Sequence, residues 1–252
     1  MDNRICKTLI WLLIAAGCVM LPVHAWAAAP SPVEILRRAD RARGNLQGVI
    51  WHVEIESKDK HGVNTMNYEV SSRGFDLFAD SLAPPKYKGY KLLMLNGNMW
   101  FYKPGLSKPV PISQRQKLNG DAAYGDIAST NYADDYDATM LADETVDGED
   151  CYLFDLKAKD RQATYDRIKY WISKGRGVGL KAEYFTVSGK LFKSARMDYE
   201  NTVVVNGHDQ PFISRIVIVD ELMSKDKTTL RLTDPKFEKL PDYIFNLNLL
   251  RR

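Results

Sequence analysis

From Gly48 onward the chain alternates apolar and polar residues with a period of two, and turns are the main interruptions over most of its length. That period puts successive side chains on opposite faces of a strand. Such a chain hides its apolar face only by pairing strands and folding the sheet over a core. Val49, Trp51, Val53 and Ile55 alternate with His52, Glu54 and Glu56, and Lys60-His61-Gly62 turns the chain. Met66, Tyr68 and Val70 continue the pattern, followed by Phe75 and Leu77. Segments 90–95 and 99–102 flank Asn96-Gly97-Asn98, a hairpin signal because Asn-Gly accepts the positive φ of a tight turn. The later half repeats the theme at 151–158, 165–173, 180–187, 191–199, 212–219 and 228–234, with turns at Ser188-Gly189 and Asn206-Gly207. About eleven strands in hairpin succession read as a mainly β sandwich or barrel.

Two segments break the alternation. Ser31-Pro32-Val33-Glu34 is a capping box with proline at the first helical position. Ile35, Leu36, Ala39 and Ala42 then share one face, Gly44 stops the helix, and Arg37, Arg38, Asp40, Arg41 and Arg43 are assigned to the outer face. The second segment, 113–143, carries Gly120, Gly125 and the acidic residues Asp121, Asp126, Asp134, Asp135 and Asp137 among scattered Leu118, Tyr124, Ile127 and Tyr132. Long irregular segments commonly serve as lids or binding loops. It is expected to form one or two short helices and loops across a barrel mouth.

The first 27 residues follow a different grammar. Arg4 and Lys7 precede an uncharged apolar run over 9–19, and Ala25-Trp26-Ala27 has the small residues a signal peptidase requires. An uninterrupted bilayer span needs about 20 apolar residues, and Pro22 and His24 interrupt this one. The expectation is a cleavable signal peptide at 1–27, a single domain over 28–252, and a periplasmic location. The alternative is a lipoprotein anchored through Cys18, because Ala15-Ala16-Gly17-Cys18 approximates a lipobox with Ala15 where leucine is usual.

Residues 28–252 carry a net charge of +2 with both signs interspersed, which does not describe a nucleic-acid surface. Cys151 is the single cysteine of that segment, so no intramolecular disulfide staples it. Gly175-Arg176-Gly177-Val178-Gly179 is flanked by strand patterns and lacks the third glycine of a dinucleotide fingerprint, so it reads as a hairpin loop. His52, His61 and His208 have no ligand spacing. Asp134, Asp135 and Asp137 lack the alternating oxygens of a calcium loop. Cys151, set among Tyr152, Leu153 and Phe154, reads as a buried apolar residue. With no nucleophile elbow or acid pair, no enzyme activity and no nucleotide, metal or other cofactor is expected.

A series of segments resembles the outer-membrane lipoprotein-sorting, LolA-like family. They are Gly97-Asn98-Met99-Trp100-Phe101-Tyr102-Lys103-Pro104, Ile112-Ser113 leading to Gly125-Asp126-Ile127-Ala128, and Leu156-Lys157-Ala158-Lys159. Tyr165 to Ile172, Ser188-Gly189-Lys190-Leu191-Phe192-Lys193, and Leu240-Pro241-Asp242 with Phe245 extend the match over most of the chain after 27. The resemblance implies an incomplete, unclosed antiparallel β-barrel with an N-terminal helix and a helical or loop lid, as in the LolA, LolB and RseB superfamily. One departure is the loop before Leu180-Lys181-Ala182, which usually carries a proline and here is glycine-rich; a more mobile hairpin is expected.

The function implied is a carrier that shelters acyl chains of lipids or lipoproteins in an apolar cavity. Exposing each CH₂ costs about 0.8 kcal/mol, so a chain of about 15 carbons costs roughly 12 kcal/mol to move bare through water. Trp51, Tyr68, Trp100, Tyr102, Trp171 and Phe185 are the candidate cavity lining. Implied partners are an inner-membrane transporter as donor and an outer-membrane acceptor. Two other readings remain: an RseB-like module that senses ligand and binds a membrane signalling protein, and an enzyme acting on envelope lipids.

Overall fold

A computed structural model describes residues 30–59, 62–222 and 226–251. The signal-peptide and Cys18 expectations, and His61, lie outside the described residues. The chain opens with helix α1 (Pro32–Ala42). Its capping box is formed: Ser31 Oγ accepts from the Glu34 N–H at 3.3 Å, and the Ser31 N–H donates to Glu34 Oε2 at 2.7 Å. Gly44, at φ +96°, takes the chain out of the helix.

The strands then follow: β1 (Val49–Asp59), β2 (Gly62–Arg73), β3 (Asp76–Ala83), β4 (Lys91–Leu95), β5 (Asn98–Tyr102) and β6 (Val110–Ile112). The insert brings β7 (Lys117–Asn119), β8 (Ala122–Ala123), a 3₁₀ turn at Tyr124–Ile127 and helix α2 (Tyr132–Asp135). After it come β9 (Tyr136–Met140), β10 (Glu144–Val146), β11 (Glu149–Ala158), β12 (Arg167–Ser173), β13 (Gly179–Phe185) and β14 (Leu191–Asp198). The last are β15 (Asn201–Val205), β16 (His208–Phe212), β17 (Arg215–Asp220) and β18 (Lys227–Phe237). The strands missing from the sequence expectation are mostly short ones, too brief to display an alternation.

Fourteen strands make one antiparallel sheet, ordered β10-β11-β12-β13-β14-β17-β18-β1-β2-β3-β4-β5-β6, with β9 also on β11. β1 lies mid-sheet, with Val53 opposite Leu232 of β18 and Tyr68 of β2. The sheet curls without closing, as expected for an incomplete barrel. The segment after β6 and the start of β5 are tied to the β11–β12 loop by side chains: Arg115 donates to Asp166 (2.7 Å) and to the Ala163 carbonyl (2.8 Å), and Gln162 donates to Asn98 (3.2 Å).

Alternation sends Trp51, Val53 and Ile55 to the concave face, where α1 and the insert cover them. The convex face of β4 and β5 is covered separately. There Leu240, Phe245 and Leu250 from the C-terminal segment pack on Leu93, Trp100 and Tyr102. Arg73 pins that segment by an ion pair to Asp242 (2.5 Å) and by lying 4.6 Å above the Phe245 ring.

Candidate ligand-binding site

The concave face and its cover enclose one apolar interior. Trp51 is 1% exposed and meets Phe212 edge-on at 5.6 Å. Tyr132 from α2 packs edge-on against Tyr136 and Tyr170, each at 5.3 Å, and Tyr165 stacks on Tyr184 at 3.9 Å. From α1, Ile35, Leu36 and Ala39 join the same core. The interior is filled: a void bounded by Arg43, Asp126, Tyr132 and Tyr165 measures about 20 Å³. That holds about one water, whereas ligand pockets run to about 300 Å³ or more.

The six aromatic candidates do not form one surface. Trp51 and Tyr68 are both buried on the concave face. Trp100 and Tyr102 lie in the convex cluster under the C-terminal segment. Trp171 belongs to a smaller cluster with Cys151, Leu153 and Leu180, where its indole N–H donates to Glu144 (2.8 Å) and Lys181 sits 4.0 Å above its ring. Phe185 is half-buried, with the Arg167 guanidinium 5.5 Å from its centroid.

Two charged residues assigned to the outer face of α1 are instead inside. Asp40 is 2% exposed and Arg43 5%. The spacing explains both: Asp40 follows Leu36 by four, and Arg43 follows Ala39 by four and Leu36 by seven, so each shares the buried stripe. Arg43 donates to Met197 Sδ at 3.4 Å. It stays protonated, as a guanidinium does throughout the accessible pH range, although burial opposes its charge. Asp40 accepts from the Ala133 N–H at 3.0 Å, and burial raises its carboxyl to about 6. Burial likewise holds Tyr132 and Tyr199 up to about 12, so both remain neutral donors. The Tyr199 hydroxyl lies against the Tyr170 hydroxyl and the Gly179 backbone, while Trp51 Nε1 is buried with no hydrogen-bond partner among the described residues. Leaving such a group unpaired costs about 1–3 kcal/mol.

The cover is fastened by polar clasps. Besides Asp40, Arg37 pairs with Asp134 (3.2 Å) and Asn45 donates to the Thr130 carbonyl (2.9 Å). On the sheet side, Asn119 accepts from Ser57 and Asn64, each at 3.0 Å, and Asp126 accepts from the Tyr165 hydroxyl at 2.9 Å. Net hydrogen-bond contributions are about 0.5–1.5 kcal/mol apiece, small against an acyl chain that would replace the lost apolar contacts. The expected mobile loop at 174–178 is held as well. Arg176 is paired with Glu149 at 2.6 Å, and Gly177, at φ +67°, lies beneath the Arg38 side chain.

A family model described only as an uncharacterized protein matches residues 77–252. No curated protein matches the chain. Among solved structures, an outer membrane lipoprotein-sorting protein domain from Vibrio parahaemolyticus superposes with a TM-score of 0.74 at 20% identity, spanning 87% of this chain and 98% of that one. A DUF1329 family protein from Desulfovibrio piger gives 0.72 at 20% identity, over 86% and 97%. Both share the fold. A LolA superfamily protein from Nitrosomonas europaea gives a TM-score of 0.77 at 32% identity, over 87% of this chain and 99% of that one. With that identity sustained across nearly all of the Nitrosomonas protein, the chain belongs to the LolA superfamily.

Proposed function

We propose that this protein is a non-enzymatic periplasmic carrier, exported by residues 1–27, whose domain over 28–252 takes acyl chains of lipids or lipidated proteins between the concave face and the cover. The carrying observation is the cover itself. An apolar face of an unclosed sheet is covered by α1 and residues 117–135 of the insert through polar contacts, and displacing these two pieces leaves the large sheet's ladders, β9 on β11 included, in place. An acyl chain entering there returns about 0.8 kcal/mol per buried CH₂. The unpaired Trp51 Nε1 donor offers a partner for an ester carbonyl of such a chain. Cargo would pass from an inner-membrane transporter to an outer-membrane acceptor, driven by affinity differences alone.

Quenching by brominated acyl chains tests this reading. In the protein without residues 1–27, which removes Trp11 and Trp26, three single-tryptophan versions keep Trp51, Trp100 or Trp171, the other two being phenylalanine. Brominated lipid should quench Trp51 emission and leave Trp100 and Trp171 nearly unchanged. Equal quenching of all three, or none, would overturn the assignment. Identification of the mature N-terminus separates a free shuttle starting near Ala28 from a protein tethered at Cys18.

A further inference from the structure

Beside α1 lies a cleft of about 550 Å³, walled by Arg37, Arg38, Arg41 and Lys174 and floored by Ile35 and Tyr152. Arg38 and Arg41 stand three apart on the helix, and Arg37 and Arg41 four apart, so like charges repel across one turn. The protein answers little of that charge. Arg37 pairs with Asp134, and Lys174 with Asp143. Glu34, also at the cleft, is engaged by Ser31 in the capping box. The Arg38 and Arg41 side chains have no hydrogen bond or ion pair among the described residues. Arg38 is nonetheless positioned: its side chain lies on Gly177, where a Cβ would come within 2.3 Å of its Nε.

The floor has a second property. Ile35 belongs to the main core and Tyr152 packs against it, so the floor of the cleft is the edge of the same apolar core along the flank of α1. A ligand matching both features has an anionic head and an apolar tail. The planar guanidinium fork favours phosphate over a point-like anion site.

We infer that this cleft is the headgroup seat of the cargo, holding the phosphate of an anionic acyl lipid on Arg38 and Arg41 while the chain passes beside α1 into the interior. The inference rests on the carrier reading. It makes α1 both the cover and the recognition element: the face that shuts the interior carries its apolar residues, and the opposite face reads the charge.

The test compares the protein with Arg38→Gln/Arg41→Gln and Arg38→Lys/Arg41→Lys, each checked for unchanged Tm, against three probes. Dioctanoyl phosphatidylglycerol carries chains and phosphate, dioctanoylglycerol carries chains alone, and inorganic phosphate carries the anion alone. The glutamine pair should weaken phosphatidylglycerol about tenfold, equivalent to about 1.4 kcal/mol, and leave dioctanoylglycerol unchanged. The loss should shrink in high salt, and the lysine pair, which keeps the charge but loses the fork, should fall between the unaltered protein and the glutamine pair. Unchanged phosphatidylglycerol binding, or equal loss of both lipids, would overturn the headgroup seat while leaving the carrier standing. Inorganic phosphate binding as tightly as the lipid would make this a free-phosphate site instead. Failure of the unaltered protein to take up either lipid would sink the carrier reading, and this inference with it.

Discussion

Asp40→Asn is the substitution whose effect the structure specifies best. The carboxyl is buried against the insert, and its ordinary value of 3.8 rises to about 6 because burial disfavours the charge. A shift of that size corresponds to about 3 kcal/mol. Below pH 3.8 the group is protonated in both folded and unfolded chains and costs nothing. Between 3.8 and about 6 the unfolded chain releases its proton while the folded chain holds it, so stability falls as pH rises. Above 6 both forms are ionised and the full penalty stands. Asparagine keeps an acceptor for the Ala133 N–H, and its amide faces the Thr130 hydroxyl, which lies beside the carboxyl without hydrogen-bond geometry. The variant should therefore gain on the unaltered protein by about 2 kcal/mol between pH 4 and pH 7.5, since part of the penalty is already present at pH 4. Urea unfolding of both proteins across that range, followed by circular dichroism, measures the difference directly. Exchange at the Ala133 amide, corrected for intrinsic rate, reports the same linkage locally, since opening the cover hydrates the carboxyl. A constant offset between the two stability curves would refute the reasoning.

Two further substitutions follow from packing. Gly179→Ala places a Cβ 1.9 Å from the Tyr170 hydroxyl and should cost at least about 1–3 kcal/mol in urea unfolding, whereas Gly175→Ala, with nothing within 4 Å, should stay within about 0.5 kcal/mol. Trp100→Ala removes the convex platform under Phe245 and Leu250; hydrogen exchange over residues 240–250 should rise while quenching of Trp51 by brominated lipid persists.

The long strands were legible because one face was apolar and the other was not. β1 displays this in Trp51, His52, Val53 and Glu54, and its register follows. Trp100 and Tyr102 defeat the same logic. β4 and β5 are apolar on both faces, with Leu92 and Met94 inward and Leu93 outward, so alternation says nothing about which side is concave. The outward side is buried by a segment more than 130 residues later in the chain, a partner that no local pattern announces. The insert was legible as a cover because the alternation stopped there, but its β7–β8 hairpin was not, since strands of three and two residues carry no period. Asp40 and Arg43 were misplaced for a different reason: charge outweighed angular position, although the i+4 spacing from Leu36 and Ala39 put both on the inner stripe. Trp51 and Tyr68 were recoverable, as both stand in phase with Val53 and Val70.

The seam between the β5–β6 end of the sheet and the β11–β12 loop has a mechanical consequence. In a sealed barrel, strand number and shear fix the girth, and changing it means breaking and re-forming rungs. Here the gap is spanned by the Arg115, Gln162 and Thr164 side chains, whose rotamers can lengthen or shorten the span by small increments. On the carrier reading proposed above, the circumference would therefore adjust by small increments rather than by steps, letting one scaffold take guests of different bulk at nearly constant backbone cost.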